Sequence, residues 1–412
     1  MRLLKADEPA FDFCPSGEFY GCKAWLFDQQ AHFDLEQTAQ GNYKDFFKSL
    51  GKATIKGVTL NWGDAAKEAV DAVSAIGFEK DCGQTTWLLI TRSMMQAIYA
   101  LVEENIGLLR VGPLGSYLAA QRADLSMKDV EKVAEKLDLS LEERELVIDE
   151  DFFRRPRELP VVEAIKTPFA QWLRGIGFGE AAADSISDRL PSYFVFALND
   201  EWRRRSLEYA CLQEALDTPF TRAGEEEQGW LRYSAWLQKQ VDEPMFFEAF
   251  SLRQVYISLR AFYQQRPETG KEAELERKIA GEDQSKRITV DLAETLEAWL
   301  NKADARDAVR VISGGPGCGK SSFTRMFAAQ QAAKNDRRVI FVPLHLFEPT
   351  DDLIDAMRNF VRFDKYLPAN PLDPEEGETR LLVIFDGLDE LSMQADVWTH
   401  LEFGEWNELF TL

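Results

Sequence analysis

The chain has 412 residues, 45% hydrophobic, 12% aromatic and 29% charged, a composition that supplies two or three globular cores and excludes a mainly disordered protein. Its formal net charge of −22 excludes a broad surface for nucleic acid or an anionic membrane, since either needs basic groups to displace counterions. Cys14, Cys22, Cys82, Cys211 and Cys318 are odd in number and show no repeated CxxC spacing, which points to reduced thiols in a cytoplasmic protein and, with no second Cys or His pair near Cys14 and Cys22, away from a zinc site.

The first residues, "MRLLKADEPAFDF", lack the apolar core of a signal peptide, and no apolar run reaches membrane-spanning length. From about Asn61 to Leu216 the pattern is mostly helical. In "QTTWLLITRSMMQAIYALVEENI" (Gln84 to Ile106), Leu88, Met95, Tyr99 and Val102 fall close to one stripe. "SMKDVEKVAEKL" starts with a capping serine, Ser126, and spaces Val130, Val133 and Leu137 as a helix. "LPVVEAIKTPFAQWLRGIGF" and "SYFVFALNDEWRRRSLEYACLQEAL" read as two more helices, whose aromatics belong to a core rather than to a ligand pocket. The basic clusters Arg154, Arg155, Arg157 and Arg203, Arg204, Arg205 read as helix ends or salt-bridge partners in so acidic a chain. Of the histidines, His32, His345 and His400, His32 is the one within reach of histidine chemistry in this region, and it reads as a surface or packed residue.

Within "FFEAFSLRQVYISLRAFYQQ" (Phe246 to Gln265) the alternation of Val255, Ile257 and Leu259 suggests a strand. The following "RPETGKEAELERKIAGEDQSKR" (Arg266 to Arg287) carries Pro267, Gly270 and Gly281 and almost no large apolar residue, which is the mark of a linker. "DLAETLEAWL" then spaces Leu292, Leu296, Trp299 and Leu300 on one helix face. The expected division is 1–245, a mainly α-helical N-terminal domain; 246–287, a connecting segment and charged linker; and 288–412, an α/β domain built on a parallel sheet.

In that last part, Gly314, Gly315, Pro316, Gly317, Cys318, Gly319, Lys320 and Ser321 fit G-x-x-x-x-G-K-[ST], with Ser322 next. Glycines let the backbone turn tightly and bring N–H groups against phosphate oxygens, and the helix that follows points its positive end at the same anion. "VRVIS" before the loop has the β-branched character of a strand, and "KSSFTRMFAAQQAAK" after it that of a helix. In this geometry Lys320 reaches the β- and γ-phosphates and Ser321 ligates Mg2+. Farther on, "RLLVIFDGLDEL" holds five consecutive apolar residues, Leu381 to Phe385, suited to a strand buried on both faces. Asp386 at its end is the expected magnesium carboxylate, and Asp389 or Glu390 the group that polarises an attacking water.

These segments resemble the NACHT group of STAND NTPases, particularly bacterial members associated with anti-phage defence. The likeness rests on "GGPGCGKSS", on "LLVIFDGLDEL" with Gly387 after the magnesium aspartate and Asp389 beyond it, and on "RRVIFVPLHLFEPTDDLIDAMRNFV", similar to the second strand and helix of such domains. "LRQVYISLRAFY" is similar to a segment preceding the NTPase core. The resemblance implies a P-loop NTPase binding ATP or ADP with Mg2+, a nucleotide-controlled switch, and a nucleotide-dependent homo-oligomer. It also implies that the strand following Asp386 in sequence lies between the strands ending at Ser313 and Phe385. The residues after Glu390, "LSMQADVWTHLEFGEWNELFTL", suffice for a helix and the start of that strand, so the NTPase domain is expected to be incomplete and its hydrolysis weak. The alternative is a helical protein-binding or scaffold module with a nucleotide-binding remnant.

Overall fold

A computed structural model describes residues 82–109, 153, 155–215, 219–246, 248–265, 286–302, 307–346, 353–364, 366–367, 370, 372, 380–388 and 409–411. The expected helix at Ser126 to Leu137, Cys14, Cys22, His32, His400, Asp389 and Glu390 lie outside these residues, as does most of the expected linker. The chain divides into two units, Met1–Gln254 and Val255–Leu412.

The first unit is helical. Its central helix, α1 (Cys82–Asn105), buries Leu88, Leu89, Ile90, Met94, Met95, Ile98, Leu101 and Val102. Apolar groups on so many sides mark a helix enclosed by others rather than laid on a surface, so the stripe expected at Leu88, Met95, Tyr99 and Val102 is part of a wider buried face, with Tyr99 half-buried at its edge. α2 (Pro160–Gly175) opens on a proline in its first turn, where the missing N–H costs nothing, and packs against α3 (Glu180–Asp188). α4 (Leu190–Arg205) lies against α1 on one side and against α5 (Glu225–Gln240) on another.

Trp172, Trp202, Tyr193, Tyr209, Tyr233 and Phe169 are all less than 2% exposed. Trp202 meets Phe153 edge-on at 5.3 Å, while Phe153 stacks on Phe220 at 4.4 Å, so these aromatics form core. Arg203, Arg204 and Arg205 occupy the last turn of α4, where cations oppose the helix dipole, and Arg204 and Arg205 pair with Asp200 and Glu201. Cys211 is disulfide-bonded whereas Cys318 is a free thiol. This corrects the expectation of uniformly reduced cysteines; a count of thiols carries no information on which sulfurs the packing brings together.

Among the described residues of this unit, buried charged groups have partners, as burial requires: Arg189, 1% exposed, donates to Asn105 Oδ1 and to the Asp242 carbonyl. Arg92 and Glu201 are 2% and 1% exposed, and both hydrogen-bond the Tyr209 hydroxyl. Near the end of α5, Asp242 accepts from Ser192 and from Arg253, which stands in the short helical turn α6 (Leu252–Val255).

In the second unit, β1 (Arg260–Gln265) and β2 (Lys286–Asp291) pair antiparallel from Arg260↔Asp291 to Gln265↔Lys286. The strand therefore begins after the alternation at Val255, Ile257 and Leu259. The charged segment expected to separate two domains instead connects the two strands of one hairpin, and the division between units falls before it. Low hydrophobicity marks any solvated connection, whether between domains or between strands, which is why the sequence did not distinguish them. Asp291 accepts the Glu294 N–H at 3.0 Å and so caps α7 (Leu292–Lys302), whose Leu292 and Leu296 are buried.

β3 (Val311–Ser313) pairs in parallel with β6 (Leu409–Thr411), giving a four-stranded sheet in the order β2-β1-β6-β3. β4 (Arg338–Pro343) and β5 (Leu381–Asp386) form a separate parallel pair. The expectation that the strand after Asp386 lies between β3 and β5 is corrected: β6 takes β3 on one edge and β1 on the other, and a strand has two hydrogen-bonding edges. β5 is also less enclosed than its apolar run suggests, with Leu382 buried and its neighbours half-buried, because its described partner lies on one side. α8 (Lys320–Lys334) packs on β4 and β5 through a face that includes Phe323, Met326 and Phe327, and it ends at Asn335 in the left-handed region (φ 52°). α9 (Leu353–Phe363) follows β4.

Candidate functional site

The residues from Gly314 to Gly319 join β3 to α8. Gly317 and Gly319 have φ of 76° and 94°, the region that side chains disfavour, so these two positions need glycine. A Cβ at Gly319 would lie in ordinary contact, 3.4 Å from Leu259 Cδ1, so the residue just before β1 lies beside the loop. A Cβ at Gly315 or Gly317 would meet nothing within 4 Å, and Gly315, Pro316 and Gly317 are exposed. The loop thus turns a stretch of side-chain-free backbone outward at the start of a helix, where unpaired N–H groups and the helix dipole favour an anion.

Lys320, the first residue of α8, turns back over this backbone. Its Nζ donates to Gly314 O at 2.8 Å and to Gly315 O at 3.3 Å. Ser321 and Ser322 follow in the first turn, with Ser321 exposed and Ser322 half-buried. Cys318 donates its backbone N–H to Gly315 O at 3.4 Å, closing the turn.

Asp386 ends β5 opposite Pro343 of β4, and Gly387 follows with φ 87°, releasing the chain from the strand. The carboxylate meets α8 through Thr324, whose Oγ1 lies 3.1 Å from Asp386 Oδ1 and 3.1 Å from Ser321 O. The structure therefore gathers Gly314 to Gly319, Lys320, Ser321, Ser322 and Asp386 around the first turns of one helix. Thr324 and Leu259 were missed by the sequence reading. A polar residue one turn beyond Lys320 on a helix face otherwise lined by Phe323, Met326 and Phe327 is the signal by which Thr324 could have been found; nothing local points to Leu259.

A serine hydroxyl and a carboxylate are hard oxygen donors of the kind that suit Mg2+, while the lysine and the open backbone suit phosphate. The residues present fit a magnesium nucleotide. Among the described residues no group of three or more His, Cys, Asp or Glu forms a candidate metal cluster, and no helix is long and apolar enough to cross a membrane.

Comparison with known proteins finds no matching curated protein and no matching solved structure. The family model described as NACHT N-terminal Helical domain 3 matches residues 34–252, which fall within the helical unit. That match spans more than half of the chain, and the protein belongs to the NACHT N-terminal helical domain 3 family, a NACHT/STAND-type assignment.

Proposed function

We propose that the chain is an ATP- and magnesium-binding P-loop NTPase of NACHT/STAND type, working as a cytoplasmic switch in bacterial antiviral defence. The observation that carries this reading is the Lys320 ammonium, folded 2.8 Å from Gly314 O over a loop held open by glycines and continued by a helix. The lysine and the loop N–H groups bind the phosphates; Ser321 and Asp386 hold Mg2+, which supplies charge neutralisation between the phosphate oxygens. Asp389 or Glu390 orients water, and hydrolysis is slow. Adenine is named on family resemblance. By the same resemblance, nucleotide state governs homo-oligomerisation and the helical unit delivers or relays the output.

Calorimetry with MgATP tests it. Lys320→Ala removes the side-chain cation aimed at the phosphates and is expected to weaken binding at least about tenfold, the scale of a charge-assisted contact. Equal affinity of wild type and variant would overturn the reading. A second reading, a helical binding module with an inert second unit, is favoured by the position of the family match on the helices; it is supported if the wild type takes up no nucleotide.

A further inference from the structure

We infer that Thr324 is a positioning residue that holds the Asp386 carboxylate in register with the glycine loop. The inference rests on the nucleotide reading above. Thr324 is 8% exposed, on a helix face whose neighbours Phe323, Met326 and Phe327 are buried apolar groups. A hydroxyl in such surroundings needs a partner, and the carbonyl of Ser321, 3.1 Å away within the same helix, already supplies one. The second contact, 3.1 Å to Asp386 Oδ1, leaves the helix for the end of β5. A threonine has one hydroxyl proton to donate, and a carboxylate oxygen is a stronger acceptor than a backbone carbonyl.

Among the described residues, no strand pairing joins the two halves of the site. β3, which delivers the loop, belongs to the four-stranded sheet, and β5, which delivers Asp386, pairs with β4 in another. Alignment passes instead through α8, which begins at the loop and packs on β4 and β5. Ser321 and Thr324 are three residues apart and share a face of that helix. One face thus carries the hydroxyl proposed for Mg2+ and, a turn later, the hydroxyl that steadies the carboxylate. With Oδ1 engaged by Thr324, rotation of the carboxylate is restrained and Oδ2 is the oxygen left for the cation or its water.

The test is Mg2+ titration of the full chain at saturating ATP, with ATP affinity in EDTA measured alongside. Thr324→Val keeps the β-branch and the volume but removes the hydroxyl. It is expected to weaken apparent Mg2+ affinity about tenfold, as loss of a contact to a charged group does, with EDTA affinity within about twofold of wild type. Thr324→Ser, which restores the hydroxyl, is expected to recover most of the loss. If Thr324→Val titrates like wild type while Asp386→Asn has lost Mg2+ dependence, the inference is overturned and the nucleotide reading stands. If the wild type binds no ATP with or without Mg2+, both are overturned. Should Thr324→Val fail to fold, Thr324→Ser against Thr324→Ala decides: equal Mg2+ affinity refutes the positioning role, and loss confined to alanine supports it.

Discussion

Glu201 illustrates what one buried group can hold. It is 1% exposed and accepts from Tyr209 at 2.7 Å, from Gln96 at 2.8 Å, from Arg205 at 3.2 Å and from Arg92 at 3.4 Å. Glu208 also binds Arg92, at 2.6 Å, but is 48% exposed, so water can replace it. Removing the inner carboxylate leaves the Arg92 charge buried beside a tyrosine and an amide that have lost their acceptor. Glu201→Ala is expected to destabilise the helical unit by about 3–5 kcal/mol, and Glu208→Ala by about 1 kcal/mol or less. Urea denaturation followed by tryptophan fluorescence reads both, and equal losses would refute the asymmetry. Neither role was visible in the sequence, where Glu201 is one acid among 70 Asp and Glu residues. Its burial is decided by α1 packing on α4.

At the scale of elements, legibility followed the range of the forces involved. The bounds of α8 coincide with "KSSFTRMFAAQQAAK", because a glycine with positive φ before it and an αL asparagine after it are local signals. β5 was likewise visible as a run of five apolar residues, Leu381 to Phe385, and β4 through the family resemblance of its segment. The hairpin of β1 and β2 was not, since its strands are far apart in sequence and their connection has the composition of an interdomain linker. The hairpin makes a prediction that a linker does not. Gln265 and Lys286 are directly paired, so a two-residue Asn-Gly turn matches the geometry of the open end. Replacing residues 266–285 by that turn is expected to leave the melting temperature of the second unit unchanged or raised, since a shorter loop costs less closure entropy. A fall of more than about 4 °C, the shift expected for roughly 1 kcal/mol in a domain of this size, would speak against the pairing.

At the scale of the molecule, buried tyrosines give the helical unit a defined response to alkali. Burial, and next the Glu104 carboxylate, push the Tyr193 phenol far above its ordinary 10.0. Burial and then Glu201 do the same at Tyr209. Below pH 10 folded and unfolded chains both keep these protons. Above it the unfolded chain ionises and the folded one does not, so the stabilisation present below pH 10 is lost as pH rises. Unfolding free energies from urea denaturation between pH 9 and 11 are expected to fall less steeply for Tyr193→Phe than for wild type, the difference in slope approaching about 1.4 kcal/mol per pH unit. Parallel curves would refute the assignment. The helical half was legible from periodicity and the α/β half from the glycine loop and the apolar run before Asp386, whereas the split into two sheets depended on which strand β6 joins, and no local pattern encodes that choice.

The contact of Leu259 with Gly319 ties together two stretches that lie far apart in the chain. A side chain at Gly319 would stand in ordinary van der Waals contact with Leu259, and what excludes it is the strain of its own φ of 94°. Among relatives, position 319 is therefore expected to stay glycine whatever apolar residue stands before the first strand, because no trimming of that neighbour relieves a left-handed backbone.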